Sequence, residues 1–536
     1  MTQSLKLLIR SLQLLLLLIT VQISHAQFTA LSKAVFINDH QQSAIPMPSQ
    51  DKLAAEKLDK LFKKTGKRPN ILWIIVDDMG WGDPGCFGGG EAIGAATPIM
   101  DKLAANGLRL TSTYSQPTCT PTRSAILTGR LPCRTGLIRP IIAGDKLSKN
   151  PWADEISLAK LLSESGYKTL LSGKWHIGEL EGMRPFEVGF DEYYGYYAAE
   201  KEISQSFDKR RYPDLVLDTF KHSAIHKMGE SIDLVYGKKG GKEEVIFKTK
   251  GLDDIAEADQ RLKDWSIKKI KELAASKQPF FLEHSFMKVH TDVFASKKYE
   301  GKSASKYPYK DGIVEVDAII GELVDELEKN GLLENTFIFV TSDNGPQEDA
   351  WPDAGYTPFH GAKGSTWEGG VRVPGIAYWK GMIKPRSSDG LFDLMDLYNT
   401  SLNLAGALDK LPADRYIDGI NQTSFLVADN GESQRDRIHY WHQKKPMGIR
   451  MGDYKVHFQT IEYGSNDWLM IDQSVLSKPG GAPWLFNLYI DPKERRAVGH
   501  AMSAWQATLP AEFKGHAASF KKFPMKSVGL DANMDD

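Results

Sequence analysis

A cysteine at the start of a predicted helix is the side chain in this sequence best suited to nucleophilic chemistry. Cys119 is followed by Pro121 and Arg123, and the segment ends at Gly129. Proline suits the first turn of a helix and glycine suits its end, so we predict that Cys119 lies at or just before a helix N-terminus. Free backbone N–H groups there stabilise anions, and Arg123 adds a fixed positive charge one turn later. Taken alone, the pattern also fits a buried cysteine that begins an ordinary helix.

Two acidic pairs have the residue types of a site for a hard metal ion. Asp77 and Asp78 follow one continuous apolar run, and Asp343 and Asn344 follow another. Such runs are typical of strands buried on both faces of a parallel sheet, and ligands bind at the carboxyl ends of those strands. Carboxylate and amide oxygens suit Ca²⁺ better than zinc. Either pair alone would more often be a turn, but two pairs at predicted strand ends favour a metal site.

Basic and imidazole side chains follow other predicted strands. Lys174 and His176 lie in a Gly-Lys-Trp-His segment, and Lys363 lies in the segment Gly-Ala-Lys-Gly-Ser-Thr-Trp-Glu-Gly-Gly. The glycines of the second segment predict a loop that approaches a ligand closely. His284 and His290 come at and after the end of a further short apolar run. In isolation each of these residues would usually be solvated surface, so their meaning depends on the other motifs.

Together these segments resemble the formylglycine-dependent, arylsulfatase-like sulfatase family of the alkaline phosphatase superfamily. The Cys-x-Pro-x-Arg motif with its downstream Thr-Gly-Arg, the Gly-Lys-Trp-His block and the glycine-rich block carry the resemblance, which spans most of residues 70–380. It implies that a formylglycine-generating maturation enzyme oxidises Cys119 to formylglycine. One hydroxyl of the hydrated aldehyde then attacks the sulfur of a sulfate ester, and the other expels sulfate. The implied activity is sulfuric ester hydrolysis.

The resemblance also implies a role for each matching residue. The resemblance implies one cation per chain, and an oxygen-rich shell favours Ca²⁺. Its implied ligands are Asp77, Asp78, Cys119, Asp343 and Asn344. The implied catalytic residues are Cys119, Arg123, Lys174, His176, His290 and Lys363. Both lysines would contact sulfate oxygens, and His176 would accept a proton from the formylglycine diol. His290 would assist the leaving oxygen, with His284 as the alternative.

These residues require a scaffold that brings several strand ends to one edge. Predicted helices at 155–165, 257–275 and 312–330 alternate with the apolar strands. This alternation predicts an α/β fold with a large, mostly parallel central sheet and helices on both faces. Residues 191–251 show weak periodicity, so we predict an insertion near the mouth of the site. Short strand-like runs after residue 430 predict a smaller C-terminal domain with an antiparallel sheet.

The N-terminal residues have the pattern of a secretory signal. Lys6 and Arg10 precede an apolar run that ends in Ser24-His25-Ala26, and the run is short for a membrane span. We therefore expect an exported protein, periplasmic or secreted, with no membrane span in the mature chain. The predicted divisions are a signal peptide at 1–26, an N-terminal arm at 27–69, a catalytic sulfatase domain at 70–430 and a C-terminal antiparallel subdomain at 431–536.

Composition excludes some classes of partner. A net charge of −1 with 25% charged residues gives no excess of positive charge for nucleic acid. Three cysteines are too few for a disulfide framework in 536 residues, although Cys86 and Cys133 are free to form a bridge with each other.

The substrate class stays open between an aryl sulfate, or another sulfated small molecule, and a sulfated saccharide. Arg134 to Leu137 and the tyrosines of the insertion, Tyr193, Tyr194, Tyr196 and Tyr197, are expected to shape the leaving-group pocket. Two alternatives keep the same fold. One is a phosphate or phosphonate monoester hydrolase, and the other is an inactive protein that binds sulfated glycans.

Overall fold

The computed structural model describes most of the chain. The described residues are 33–141, 145, 147–198, 233–249, 251–276, 278–290, 293–348, 354–461, 476–477, 480, 482–498 and 503–530. The predicted signal peptide at 1–26 lies outside them, as do Thr291 and Asp292 beside His290.

A large mixed sheet forms the centre of the molecule. Its strands are β1 (Asn70–Val76), β2 (Leu108–Tyr114), β3 (Lys168–Lys174), β4 (Glu192–Tyr196), β5 (Asp233–Lys238), β6 (Glu244–Lys248), β7 (Phe280–Ser285), β8 (Thr336–Ser342), β9 (Arg372–Tyr378), β10 (Arg386–Ser388) and β11 (Phe392–Asp393). The order is β10-β2-β9-β8-β1-β7-β3-β4-β5-β6, and β11 also pairs with β2. The five neighbouring strands β8, β1, β7, β3 and β4 run parallel to one another. In contrast, β9 pairs antiparallel with β8, β5 with β4, and β6 with β5. The predicted α/β fold is therefore confirmed.

Helices surround this sheet, and the last helix of the chain follows the strands near the C-terminus. The α-helices are α1 (Pro48–Thr65), α2 (Pro98–Ala105), α3 (Cys119–Thr128), α4 (Pro132–Thr135), α5 (Leu158–Ser163), α6 (Pro185–Val188), α7 (Leu252–Ala256), α8 (Ala258–Ser276), α9 (Pro308–Lys329), α10 (Glu368–Val371), α11 (Asp396–Leu404), α12 (Thr423–Val427) and α13 (Ser503–Lys522). Short 3₁₀ turns occur at Gly85–Phe87, Gly90–Ile93, Leu333–Asn335 and Leu408–Lys410.

The sheet is buried on both faces because its central strands are apolar throughout. All seven residues of β1 are buried. Ile71, Trp73 and Ile75 pack with residues of α3, α5 and α11, whereas Leu72 and Ile74 pack with residues of α2, α8 and α9. Alternate side chains of a strand point to opposite faces, so an unbroken apolar run fits this position.

Parallel pairing brings the predicted ligand pairs to the same edge of the sheet. In the register of β1 and β8, Val76 lies opposite Ser342. The residues that follow these strands are Asp77 and Asp343, so the two acidic pairs leave neighbouring strands at the same level. This edge is the carboxyl end of the parallel strands, where ligands bind in open α/β sheets.

The insertion predicted at 191–251 is more regular than its sequence indicates. Its described parts form β4, β5 and β6, which extend the sheet at one edge, and residues 199–232 lie outside the described part of the chain. Tyr193 and Tyr196 of β4 are buried in two different hydrophobic clusters.

A second, four-stranded antiparallel sheet lies near the C-terminus, as predicted. Its strands are β12 (Arg437–His442), β13 (Lys445–Met451), β14 (Tyr454–His457) and β17 (Trp484–Asn487), in that order. A further pair comprises β15 (Thr460–Ile461) and β16 (Leu476–Ser477). Leu509 and Phe513 of α13 pack on the sheet. Within the described residues, the structure has no helix with the length and hydropathy that a bilayer crossing requires.

Candidate active site

Cys119 is the first residue of α3 and lies at the bottom of the site. Thr118 is extended, and Gly129 ends the helix in the left-handed conformation with φ 67°, so the helix limits agree with the sequence pattern. The Cys119 side chain is fully buried, and its Sγ lies 3.5 Å from Asp77 Oδ1 and 3.9 Å from Asp78 Oδ1. Burial raises the pKa of this thiol well above its usual value, although Lys174 and Lys363 oppose that shift.

Three buried carboxylates converge on Cys119. Ligand atoms of Asp77, Asp78, Asp343 and Cys119 all lie within 4.8 Å of one another, a geometry that could hold a metal ion. Asp78 has φ 58°, and its backbone N–H donates to Asp343 Oδ1 at 3.2 Å. The left-handed backbone turns the chain directly after β1, which lets both neighbouring carboxylates face the cluster.

The donor set fits a hard divalent cation. Asn344 Nδ2 donates to Asp78 Oδ1 at 2.6 Å, while its buried Oδ1 receives no hydrogen bond from any described residue. A buried acceptor without a donor is costly, and a cation would satisfy it. Three carboxylates and an amide oxygen form the kind of shell that Ca²⁺ prefers. The four side chains and Cys119 therefore suit the implied ion.

Three basic side chains surround the carboxylates. The Arg123 guanidinium contacts Asp343 Oδ2 at 2.8 Å and donates to the carbonyl of Lys174 at 3.1 Å. Lys174 Nζ forms an ion pair with Asp77, and Lys363 Nζ lies 2.7 Å from Asp78 Oδ2. The structure thus brings the cysteine, the arginine and both lysines of the sequence prediction into one buried cluster.

The charges in this cluster depend on one another. Burial and the nearby charge of Asp77 raise the pKa of Asp343, although Arg123 opposes the shift. Burial disfavours the charged form of Lys174, but Asp77 raises its pKa. Burial likewise disfavours the charged form of Lys363, whose pKa Asp78 raises. Each lysine is therefore held as an ammonium by the carboxylate it would share with a bound cation.

The two candidate histidines after β7 occupy different environments. His290 Nε2 lies 3.8 Å from Asp78 Oδ2, at the carboxylate cluster. His284 Nδ1 instead lies 2.9 Å from the Ser266 hydroxyl of α8, and burial lowers its pKa to about 3. Of the two, the structure places His290 at the cluster, while His284 is buried against α8.

His176 lies beside the first turn of α3. Thr120 Oγ1 donates to its carbonyl at 2.6 Å, its N–H donates to the Tyr197 carbonyl at 2.7 Å, and its Nε2 lies 3.3 Å from the Ile141 carbonyl. These contacts attach His176 to the helix that begins with Cys119.

The site contains polar residues that the sequence motifs do not indicate. Ser285 Oγ accepts a hydrogen bond from the Arg123 guanidinium, and Gln347 Oε1 lies 3.5 Å from Lys363 Nζ. Ser285 is the last residue of β7, so its position at the carboxyl end of a predicted strand was the available signal. Gln347 follows Asn344 by three residues in a loop without a comparable pattern.

The residues expected to shape the leaving-group pocket lie elsewhere. Arg134 is fully buried, contacts Asp418 at 2.8 Å and stacks on Tyr416 at 4.2 Å. Tyr193 and Tyr196 are 0% and 1% exposed, so they belong to the core. Arg134 pairs with Asp418, and both tyrosines pack in hydrophobic clusters, so the structure gives no support to their expected role in the leaving-group pocket.

A small cavity lies next to the first turn of α3 and is lined mainly by residues that the sequence motifs do not indicate. Its lining includes Gln116, Thr118, Arg139, His442 and Gln443. The last two belong to the tip of the β12–β13 hairpin, where Gln443 has φ 54°. The C-terminal sheet therefore contributes polar groups beside the helix that carries Cys119.

All three cysteines are free thiols. Cys86 is half-buried, and Cys119 and Cys133 are buried. The bridge between Cys86 and Cys133 that the sequence permits is not formed.

Comparison with known proteins finds relatives that cover most of the chain. The family model described as Sulfatase matches residues 69–407. The chain is 33% identical over 471 residues to the N-acetylgalactosamine-6-sulfatase of Canis lupus familiaris, with 82% of this chain and 84% of the relative covered. It is 31% identical to an arylsulfatase of Hemicentrotus pulcherrimus, covering 75% and 69% of the two chains. The crystal structure of PsFucS1 sulfatase from Pseudoalteromonas sp. superposes with a TM-score of 0.88 at 48% identity, over 93% of this chain and 100% of that one.

Proposed function

This chain belongs to the sulfatase family, and from that premise we propose that it hydrolyses a sulfate ester of a saccharide through a formylglycine nucleophile made from Cys119. The observation that carries the proposal is the buried cluster in which Cys119, Asp77, Asp78 and Asp343 have ligand atoms within 4.8 Å of one another.

The charge balance of the cluster supports an anionic substrate. Three carboxylates, Asp77, Asp78 and Asp343, face three basic groups on Arg123, Lys174 and Lys363, so the formal charges cancel. Binding of a divalent cation would leave an excess of two positive charges in a site from which water is excluded. Such an excess stabilises the negative charge that develops on a sulfuryl group and on its leaving oxygen.

The protein would hold two groups that its own side chains do not supply. Asp77, Asp78, Asp343 and Asn344 would bind Ca²⁺ through oxygen atoms, together with the side chain at position 119. When bound, Ca²⁺ supplies positive charge against sulfate oxygens, and formylglycine supplies two hydroxyls on one carbon. The buried, donorless Oδ1 of Asn344 is the feature of this chain that supports the metal assignment.

The remaining side chains would orient the cation, the nucleophile and the sulfate group and would neutralise the charge of sulfate. Arg123 fixes Asp343 through its guanidinium and therefore fixes one face of the cation site. Lys174 and Lys363 would turn from Asp77 and Asp78 toward sulfate oxygens once a cation shares those carboxylates. His176, attached to the first turn of α3, would accept a proton from the nucleophile, and His290 would donate one to the leaving oxygen.

A sulfated saccharide is better supported as the substrate than a simple aryl sulfate. Gln116, Arg139, His442 and Gln443 supply polar groups beside α3, and hydroxyl-rich ligands need such partners. The relative from Canis lupus familiaris is named as a sulfatase of N-acetylgalactosamine 6-sulfate. Both observations support a sulfated sugar as the substrate. Tyr193 and Tyr196 are buried in the core and do not contribute to this choice.

The test compares hydrolysis of sulfated monosaccharides with that of p-nitrophenyl sulfate and p-nitrophenyl phosphate by the purified, matured protein. We expect sulfate release, with kcat/KM higher for a sulfated sugar than for the aryl sulfate. Faster hydrolysis of the phosphate would instead assign the protein to phosphate ester chemistry on the same fold.

Intact-mass analysis of the protein from its own host separates an enzyme from a binding protein. We expect the peptide that contains Cys119 to carry formylglycine. An unmodified cysteine together with tight binding of sulfated glycans would favour a protein without turnover. We further propose that the chain acts outside the cytoplasm, because its first 26 residues have the pattern of a secretory signal.

A further inference from the structure

A buried ammonium connects the C-terminal sheet to the glycine-rich loop that carries Lys363. Lys455 of β14 is fully buried. Its Nζ donates to the Thr366 carbonyl at 2.8 Å and to Glu368 Oε1 at 2.9 Å, and it lies 3.1 Å from Glu494 Oε1. Two of the three ammonium hydrogens are thus donated to the loop, and the Glu494 carboxylate adds an ion pair.

The acceptors of Lys455 are themselves tied to the loop. Glu494 Oε2 accepts a hydrogen bond from the backbone N–H of Glu368 at 2.8 Å, and its Oε1 lies 2.7 Å from His457 Nε2. Glu368 Oε2 accepts one from the Tyr114 hydroxyl at 2.6 Å. Although burial alone would raise the pKa of Glu368, the charges of Lys455, Arg450 and Arg372 lower it to about 2.

Stacked rings hold the same end of the loop. Trp367 stacks on His360 with ring centroids 4.3 Å apart, and His457 of β14 lies at 4.3 Å from Trp367. The other end of the loop contacts the catalytic segments, because Lys363 N–H donates to the Pro346 carbonyl at 3.0 Å and Gly364 N–H donates to the Pro117 carbonyl at 2.7 Å. Lys363 therefore lies between anchors on the catalytic edge and anchors on the C-terminal sheet.

From these contacts we infer that Lys455 is a positioning residue for Lys363: with Glu494 it fixes the 361–370 loop so that the Lys363 ammonium is directed at the carboxylate cluster and at sulfate. The inference rests on the proposed function, since it assumes that Lys363 contacts sulfate. It concerns a residue outside the segment matched by the family model, which ends at residue 407.

The physical basis is the cost of leaving any of these charges unpaired. Lys455 and Glu368 are both 0% exposed, so no water replaces a lost partner. Only two residues separate Lys363 from Thr366, so a shift of the anchored end is transmitted to the lysine. A displacement of about 1 Å at a charged group in an active site lowers a rate by up to about a hundredfold.

A double-mutant cycle tests whether Lys455 acts through Lys363. The first variant is Lys455→Met combined with Glu494→Gln, which removes one charge of each sign. Glu494→Gln alone is the second variant, since it keeps shape and is expected to fold even if the double substitution does not. Each is measured alone and combined with Lys363→Ala. The matched control is Arg437→Met with Glu512→Gln, which breaks a 2.6 Å ion pair between β12 and α13 away from the loop.

We expect the positioning variants to lower kcat/KM about tenfold or more in the parent background and to have no further effect after Lys363→Ala. Losses that multiply in the combined variants, as expected for the control, would overturn the inference. An inactive parent protein would instead contradict the proposed function.

Amide hydrogen exchange gives a second readout that does not depend on turnover. The positioning variants should speed exchange at residues 363–370 and leave β1 unchanged, because the loss is confined to the anchored loop. The control should not change exchange at residues 363–370. Unchanged exchange in the loop of a positioning variant would also overturn the inference.

Discussion

Two buried groups of charges, both without solvent access, differ in whether the protein completes them. Around Lys455 the ammonium donates two hydrogen bonds and forms an ion pair with Glu494, and the charge of Glu368 is balanced by Lys455, Arg450 and Arg372. Around Cys119 three carboxylates crowd together, and Asn344 Oδ1 has no donor among the described residues. Burial makes an incomplete group expensive, so the protein tolerates one only where a ligand completes it. The complete group is structural, and the incomplete one is where a ligand and a reaction belong.

The substitution Cys119→Ser should have the largest effect on activity, because it changes the reacting residue of the incomplete group. A serine supplies one hydroxyl, whereas formylglycine supplies two on one carbon, so the serine could attack sulfur but could not expel sulfate by elimination. We expect loss of multiple turnover by about 10⁴-fold or more and a stalled sulfate ester on the serine. Intact-mass spectrometry would detect it as a gain of one SO₃ unit. Ordinary turnover by this variant would show that formylglycine is not the nucleophile.

Removal of the cation is the next test, because only the incomplete group should depend on it. We expect a calcium chelator to abolish most activity and to lower the melting temperature, and added Ca²⁺ to restore both. At a free concentration of one hundred times Kd, Ca²⁺ would contribute about 2.7 kcal/mol to the free energy of unfolding. Differential scanning calorimetry with and without Ca²⁺ measures the shift. A protein equally active and equally stable after chelation would contradict the metal assignment.

The two histidines after β7 give a smaller effect with an internal control. His290 lies 3.8 Å from Asp78, so we expect His290→Asn to lower kcat by about a hundredfold, the usual contribution of a general acid. His284 is bonded to Ser266, so His284→Asn should change stability and leave kcat nearly unchanged. Steady-state kinetics of both variants decide the assignment. A greater loss of kcat in the His284 variant would move the role to that residue.

The smallest effect concerns acid stability of the C-terminal region. His439 and His516 stack at 3.8 Å, and burial, with nearby cationic side chains, lowers the pKa of each well below 6.5. The unfolded chain therefore binds more protons than the folded protein once the pH falls below about 6.5. Stability is highest above that pH and falls as the pH decreases, by up to about 1.4 kcal/mol per histidine for each pH unit.

Urea unfolding at a series of pH values measures this slope. Glu368, with a pKa of about 2, keeps its charge over the same range, so this carboxylate should not contribute to the slope. Replacing both histidines with glutamine should flatten the slope between pH 6.5 and pH 5. An unchanged slope would move the acid sensitivity to another group.

The sequence predicts the group of charges around Cys119 better than the group around Lys455. Asp77 and Asp343 each follow an apolar run, and parallel pairing of two such strands places their ends together, as the register of Val76 with Ser342 shows. The helix start at Cys119 likewise follows from Pro121 and Gly129. These features depend on local patterns that a single strand or helix turn contains.

Other features depend on contacts that no local pattern records. Lys455 and Glu368 are 87 residues apart in the sequence, and although Glu368 lies in the glycine-rich segment, no local pattern pairs it with Lys455. For the same reason, the sequence does not reveal that Arg134 is buried against Asp418, which lies 284 residues away. The three strands within 191–251 show weak periodicity because β5 and β6 lie at the edge of the sheet, where β5 is only partly buried and β6 has no buried residue.

The attachment of Lys455 to the glycine-rich loop has a consequence for how such proteins diverge. Chain segments that share buried ion pairs cannot be exchanged separately, because each would bring an unpaired charge into the interior of the other. A recombination event that joined this C-terminal sheet to a foreign catalytic domain would therefore disrupt both. New substrate preferences should instead accumulate at half-buried positions of the hairpin tip, such as Lys444 and Lys445, while the two halves of the molecule are inherited as one unit.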